Sequence, residues 1–276
     1  MKKILFTLLC LVFGQSLFAQ EAATKKVQAG LIVGSGLNFQ ELTDGYSSIF
    51  QSNGAGTDLS VGMNFNFNFT ETIGFCTGLE FDFSNTRFKT NDTVFYRFTD
   101  KEIIRKRDYD ASKNYGILQL DTRKDKSIYL SIPTMLLFRT KFIGYFRYFG
   151  KFGLRNSFLL KTESFDSGIE YKSGSLSTDI PVITDKTNMT TKSNMLFYKG
   201  AIGIAGGAEW NFSGSTSLVG ELGYYYGITP LYWERSADPD KLSLFQSGIT
   251  NGTGNDTYSP IKARQSQLMM KVSILF

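Results

Sequence analysis

Apolar and polar residues alternate with period two along most of this chain, in segments of about 10–15 residues. From Leu59 the odd positions read Leu59, Val61, Met63, Phe65, Phe67 and Phe69, and Ser60, Gly62, Asn64, Asn66 and Asn68 lie between them. Successive strand side chains point to opposite faces, so this segment predicts a strand with one apolar and one polar face. Thr70-Glu71-Thr72 then predicts a tight turn. After it, Ile73, Phe75, Thr77, Leu79, Phe81 and Phe83 share a face, opposite Gly74, Cys76, Gly78, Glu80 and Asp82.

The rule recurs five more times. Ile128, Leu130, Ile132, Thr134, Leu136 and Phe138 oppose Tyr129, Ser131, Pro133, Met135, Leu137 and Arg139. Phe146 to Leu160 sets Phe146, Tyr148, Phe152, Leu154 and Phe158 against Arg147, Lys151 and Arg155. Tyr198 to Phe212 carries Lys199 and Glu209 on its polar side, Leu218 to Ile228 carries Glu221, and Leu268 to Phe276 carries Lys271. Val27 to Phe39 is the least regular segment and makes the eighth.

The connections alternate in length. Short ones fall at 70–72, 140–144 and 213–216, and long polar ones at 40–55, 85–126, 161–195 and 229–261. This is the layout of a membrane barrel with short periplasmic turns and long extracellular loops. A soluble lipocalin-like barrel shares the strand number but would carry its polar face outward. Here Lys, Arg, Asp and Glu occupy one face only, so that face is the lumen and the aromatic-rich face meets lipid. Only a closed sheet satisfies every backbone group there. The expected fold is therefore all-β: a closed antiparallel transmembrane β-barrel of eight strands. Ten is the alternative, if Val94–Phe98 and Tyr115–Leu120 cross lipid instead of extending the second loop as a hairpin. Phe67, Phe69, Phe75, Phe138, Trp210, Phe212 and Phe276 near the turns, with Phe39, Phe83, Tyr198, Tyr224 and Tyr226 near the loops, predict two interfacial girdles.

Composition supports this and adds a compartment. Aromatics make up 15% of the 276 residues, with 25 Phe and 14 Tyr, and Pro is scarce at 5, as suits strands. Lys2 and Lys3 precede an apolar run, Ile4 to Phe13, and then Gly14-Gln-Ser-Leu-Phe-Ala-Gln20, the layout of a secretory signal peptide cut after Ala19. That run is too short to cross hydrocarbon as a helix. The expected organisation is a signal peptide, 1–19, and one barrel domain, 20–276, in the outer membrane of a Gram-negative bacterium. Cys76 is the one cysteine left after cleavage, so no intramolecular disulfide shapes the fold. The net charge of +5 on a Phe-rich exported chain is a poor match to nucleic acid, which is not expected as a partner.

Several of these residues carry a resemblance. Ser131-Ile132-Pro133-Thr134-Met135-Leu136-Leu137-Phe138 resembles the central strand of small Bacteroidota outer-membrane barrels, the PorT-like outer-membrane β-barrel domain. The Phe18-Ala19-Gln20 junction and the Gly-rich Gly200–Gly207 strand are similar to that group as well. Ser273-Ile-Leu-Phe276 is similar to the terminal strand that barrel-assembly machinery recognises. The resemblance implies an eight-stranded barrel but no single activity, since members range from porin-like proteins to a factor needed for secretion.

The candidate chemistry is sparse. The chain has no histidine, which removes the usual general base and nucleophile activator, and a non-enzymatic protein without cofactor or metal is expected. Gly203-x-x-Gly206-Gly207 has no helix after it and so lacks the context of a nucleotide loop; small residues making room for long neighbours account for it better. Strand parity turns Glu80, Asp82, Arg139, Arg147, Lys151, Arg155, Lys199, Glu209, Glu221 and Lys271 into the lumen, where an eight-stranded barrel leaves room for little but side chains. These groups are expected to pair into a plug, with Glu209 reaching Arg147 or Lys151 and Glu221 reaching Lys271, because unpaired buried charge is costly. Turns centred near Ile143 and Ser215 would set Arg139 opposite Arg147 and Glu209 opposite Glu221. Arg105, Lys106 and Arg107 in the second loop are candidate lipopolysaccharide contacts, balanced by Asp100, Glu102, Asp108 and Asp110. Expected partners are outer-membrane lipid and lipopolysaccharide, the barrel-assembly machinery through the strand ending at Phe276, and an envelope or secretion protein. A structural, assembly- or secretion-associated role through loops or partners follows, with a small porin or ligand-binding channel as the alternative.

Overall fold

In a computed structural model the described residues are 26–42, 49–100, 102–171, 183–191, 195–232, 244–248, 254–258 and 261–276. The signal-peptide segment, 1–19, lies outside them. Eight long strands form the wall: β1 (Val27–Leu42), β2 (Gly56–Asn68), β3 (Ile73–Thr99), β4 (Gly116–Arg139), β5 (Phe146–Tyr171), β6 (Tyr198–Ser213), β7 (Thr216–Gly227) and β8 (Ala263–Leu275). Each pairs antiparallel with its sequence neighbours. β8 then closes on β1, from Gly30 opposite Leu275 to Leu42 opposite Ala263. The sheet is a closed ring of eight, so no edge remains in the wall.

Burial along the wall is inverted relative to a water-soluble protein. Leu31, Val33, Leu59, Phe81, Phe83, Ile204, Leu222, Met270 and Val272 are exposed, while Ser60, Glu80, Asp82, Arg155 and Lys271 between them are buried. An exposed apolar belt around a charged interior is stable only where the surrounding solvent is hydrocarbon. Phe67, Phe69, Phe138, Trp210 and Phe212 are exposed toward the turn end, where the Phe146 and Trp210 rings stack at 6.1 Å. Phe39, Phe83, Tyr198, Tyr224 and Tyr226 are exposed toward the loop end, and Phe75 is half-buried.

The turn-end connections are tight for local reasons. The Thr70 hydroxyl accepts from the N–H groups of Thr72 and Ile73. Gly144 and Gly214 have φ of +64° and +53°, conformations that cost a residue with a Cβ. Three strands are far longer than a crossing needs: β3 has 27 residues, β4 has 24 and β5 has 26, against about 9–11 for a tilted spanning strand. Val94–Phe98 pairs with Gly116–Leu120 between the same two strands, β3 and β4, beyond a register shift at Lys89/Val94, which excludes ten strands. The far end of β5 pairs in turn with Ile183–Thr191. Phe50–Ser52, Glu102–Ile103 and Phe245–Gln246 add to the β3 side. The described residues of the second and third loops thus carry the barrel wall outward, largely as sheet.

A core sits in this extension. Phe50, Phe88, Val94, Tyr96, Leu118, Leu120, Met195, Leu231, Tyr232, Leu244, Ile261 and Ala263 pack together over the outer mouth. Bulges shape it. Register shifts at Leu120/Thr122 and Ile128/Tyr129 give β4 and β5 one extra residue each, Asp121 and Leu160. Each insertion swaps the faces of everything beyond it. Pro133 is regular toward β5, where it faces Arg155. On the β3 side the ladder runs from Thr77 opposite Thr134 to Glu80 opposite Ser131 without change of register, and lapses between them. A residue with no N–H leaves such a gap without a bulge.

Candidate functional site

The lumen is the most concentrated chemistry in the molecule. Within the lipid belt the outward positions are largely apolar, so the inward positions collect the charges of that part of the wall. All ten parity-assigned residues face inward; nine are buried, and Arg139 is half-buried at the turn-end mouth. Arg155 is central, at 1% exposure. One Nη donates to Glu80 at 2.6 Å and to both Asp82 oxygens at 2.8 Å. Lys271 donates to both Glu80 oxygens at 2.9 Å. Asp82 also accepts from the Ser131 hydroxyl, which lies 2.6 Å from Ser157. Nearer the turns, Arg147 makes a bidentate pair with Glu209 at 2.7 and 2.8 Å, the geometry a planar guanidinium favours. Lys151 meets Glu221 at 2.5 Å.

Aromatic faces complete the packing. The Tyr225 ring lies 5.2 Å from the Arg155 guanidinium carbon and 5.4 Å from Lys271 Nζ. Lys151 sits over Phe149 and Arg147 over Phe142. Lys199 differs. Among the described residues it has no carboxylate within ion-pair distance; it donates to Gln265 at 2.7 Å and lies 4.3 Å over Tyr129. Buried cations held by rings and amides are stabilised less strongly than paired ones but remain solvated by protein. The glycines of β6 make this possible. A Cβ on Gly203 would come within 2.4 Å of the Tyr225 ring, and one on Gly207 within 2.7 Å of Phe149.

Two registers differ from the expected ones. Arg139 lies opposite Phe149 rather than Arg147, and Glu209 opposite Val219 rather than Glu221. The first turn centres on Gly144, and an irregularity at Thr216/Ser217 slides β7 along β6. The like-charge pairs therefore never form. Arg139 instead shares the Gln28 side-chain oxygen with Arg147, at 3.1 and 3.3 Å. Glu221 takes Lys151, although Lys271 is its register partner on β8, and Lys271 turns to Glu80.

Other buried polar positions went unassigned in the sequence. Asp58 is buried and accepts from Asn38 at 2.9 Å and Gln267 at 2.7 Å; the even parity of β2, carried one step past Ser60, would have found it. Higher up, the Arg123 guanidinium grips Asp166 at 2.7 and 2.8 Å, and the Tyr96 hydroxyl donates to the same carboxylate at 2.9 Å. Asp125 accepts from Ser164 and Tyr232. Arg123 and Asp125 continue the inward odd parity of β4, whereas Asp166 lies beyond the Leu160 insertion, where parity is reversed. This second network sits under the apolar core over the outer mouth.

Arg105 is half-buried and Lys106–Asp108 form a 3₁₀ turn at the tip of the extension. Arg107 lies 3.4 Å from Asp108, and Lys106 lies 5.1 Å over the Tyr258 ring. Among the described residues no cluster of His, Cys, Asp and Glu is arranged to hold a metal ion.

A family model described as outer membrane protein beta-barrel domain matches residues 18–232. No curated protein matches the chain in sequence. Among solved structures, the chain is similar to Ail, the attachment invasion locus protein of Yersinia pestis, at 10% identity and a TM-score of 0.32, over 91% of this chain and 100% of that one. It is similar to the outer membrane protein OprG of Pseudomonas aeruginosa at 9% identity and 0.36, over 91% and 94%. It is also similar to the outer membrane protease OmpT of Escherichia coli at 8% and 0.34, over 95% and 99%.

Proposed function

This chain belongs to the outer membrane protein beta-barrel domain family, and we propose that it is a closed, non-conducting barrel that carries out a structural, assembly- or secretion-associated role through its extracellular extension. The observation that carries this reading is the double closure of the lumen. Inside the membrane the cross-section holds Arg155, Glu80, Asp82 and Lys271 in one contiguous ion-pair cluster. Above it, the core that includes Phe50, Phe88, Tyr96, Tyr232 and Ile261 covers the outer mouth. A diffusion pore needs a continuous wet path, and dry apolar packing on top of paired charge works against one.

The extension supports the second half of the proposal. Long loops with no structure of their own would point to a tether; here their described residues include extended sheet and an aromatic core, a rigid platform suited to presenting a surface. The absence of histidine from the sequence favours recognition over catalysis. The PorT-like resemblance of the Ser131–Phe138 strand agrees with an envelope or secretion partner, and the porin reading is the alternative. Planar-bilayer recording on the refolded barrel separates the two. The expected result is no stable conductance. Stable channels abolished by Glu221→Ala would overturn the plug and favour the porin.

A further inference from the structure

We propose that the outward face of β3 and β4 just beyond the lipid belt is a binding site for the phosphate groups of outer-leaflet lipopolysaccharide, formed by Arg87, Lys124 and Lys126. The proposal needs only the lipid-facing assignment of the wall, not the closed lumen. Its first basis is position. The outward apolar run ends at Phe83 on β3 and at Ile128 on β4, which face each other. The next outward residues are Asn85 and Arg87 on β3, and Lys126 and Lys124 on β4. At about 3.3 Å per residue and a tilt near 40°, these lie roughly 5–10 Å outside the hydrocarbon edge, where lipid phosphates reside.

The second basis is charge that the protein leaves uncompensated. Arg87 and Lys124 are direct cross-strand partners, a like-charge pairing that destabilises a sheet unless something else neutralises it. Asn85 faces Lys126, so Lys126 falls on the same patch two positions along. The acids nearby are few. Glu163 faces Lys126 across β5 but is paired with Lys161 at 3.0 Å, and Lys126 lies 4.5 Å over the Phe165 ring. Asp121 lies further out, at the bulge. Among the described residues no carboxylate lies within ion-pair distance of Arg87, Lys124 or Lys126. At the opposite rim the exposed base Lys141 has Glu71 at 4.0 Å. A phosphate between a guanidinium and two ammonium groups receives several charge-assisted hydrogen bonds at once.

Arg105, Lys106 and Arg107 fit this chemistry less well. They follow Thr99, whose neighbour Phe98 pairs with Gly116, 12 residues along β4 from Ile128, roughly 30 Å beyond the belt by the same rise and tilt, and Arg107 and Lys106 already have Asp108 and Tyr258 beside them.

The test is a lipid titration of the full barrel refolded in detergent micelles, read as the shift in its thermal unfolding midpoint. The probes are bisphosphorylated lipid A, dephosphorylated lipid A and inorganic phosphate. Bisphosphorylated lipid A is expected to raise the midpoint of the wild type. A triple variant, Arg87→Gln, Lys124→Gln and Lys126→Gln, should weaken that response by about tenfold or more, as loss of several charge-assisted contacts requires. Dephosphorylated lipid A should act on the wild type as the bisphosphate acts on the variant, and inorganic phosphate should leave the midpoint unmoved. A gel shift between boiled and unboiled samples checks folding, and Arg87→Gln alone replaces the triple variant if that fails to fold. Equal responses of wild type and variant would overturn the proposal. So would loss of the response on neutralising Arg105, Lys106 and Arg107 instead, or a response to inorganic phosphate matching that to lipid A.

Discussion

Replacing Arg155 by Met asks how dry the lumen is. Methionine keeps most of the volume and removes the charge. Arg155 is 1% exposed and is the ion-pair partner of both Glu80 and Asp82. Glu80 would keep Lys271 at 2.9 Å, but Asp82 would be left, among the described residues, with the Ser131 hydroxyl alone. Stranding a carboxylate in a buried site costs about 3–5 kcal/mol, whereas losing a water-exposed pair costs about 1 kcal/mol or less. Asp82→Asn strands part of the guanidinium and should cost somewhat less, because Glu80 still holds it. The double variant removes both charges, so its loss should fall short of the sum of the two single losses by about 2–3 kcal/mol. The assay is urea unfolding in phospholipid vesicles in a Trp233→Phe background, followed by the fluorescence of the lipid-facing Trp210. Two single losses below about 1 kcal/mol that add without coupling would mean the charges are solvated, and the plug argument would fail.

Three further outcomes follow from particular contacts. Gly203→Ala should force the Tyr225 ring aside and cost about 1–3 kcal/mol in the same urea titration, because a Cβ there falls 2.4 Å from Tyr225; an unchanged midpoint would show that the ring is free to move. Asp166→Asn should loosen the extension while sparing the barrel: hydrogen exchange should quicken by about a hundredfold over the outer parts of β3, β4 and β5, as expected for loss of a buried bidentate pair, with protection unchanged around Glu80. Acceleration across the whole wall would instead show that the two cores unfold together. At the tip, hydrogen bonds from Ser112 hold the Asp110 carboxyl below its usual range. Its contribution to the local turn should therefore be present above the ordinary carboxylate pKa and fade as pH falls through the lowered one. Ser112→Ala should move the Asp110 titration, followed by carbon NMR, back up; no movement would remove the Ser112 hydroxyl bond as its cause.

Alternation alone determined the architecture here, because a strand in a lipid-facing wall has no freedom about which face is apolar. The parity of Glu80, Arg155 or Lys271 is a local property, set by counting in twos from neighbours such as Phe81, Leu154 or Val272. Short turns at 70–72, 140–144 and 213–216 were legible for the same reason, since tight connections allow few conformations. Partner choice was not local. Whether Glu221 meets Lys271 or Lys151 depends on stagger around the ring, which the irregularity at Thr216/Ser217 shifts by one residue between β6 and β7. The insertions at Asp121 and Leu160 exchange inside for outside beyond them, so Asp166 could not be assigned to the interior by counting. The core over the outer mouth was least visible. Phe50, Tyr96, Met195, Tyr232 and Ile261 come from five separate parts of the chain, none carrying a spanning pattern, and only the closure of the barrel brings them together. Periodicity reports which way a side chain points; what it meets is decided by register, bulges and closure, which are properties of strands in pairs and of the whole ring.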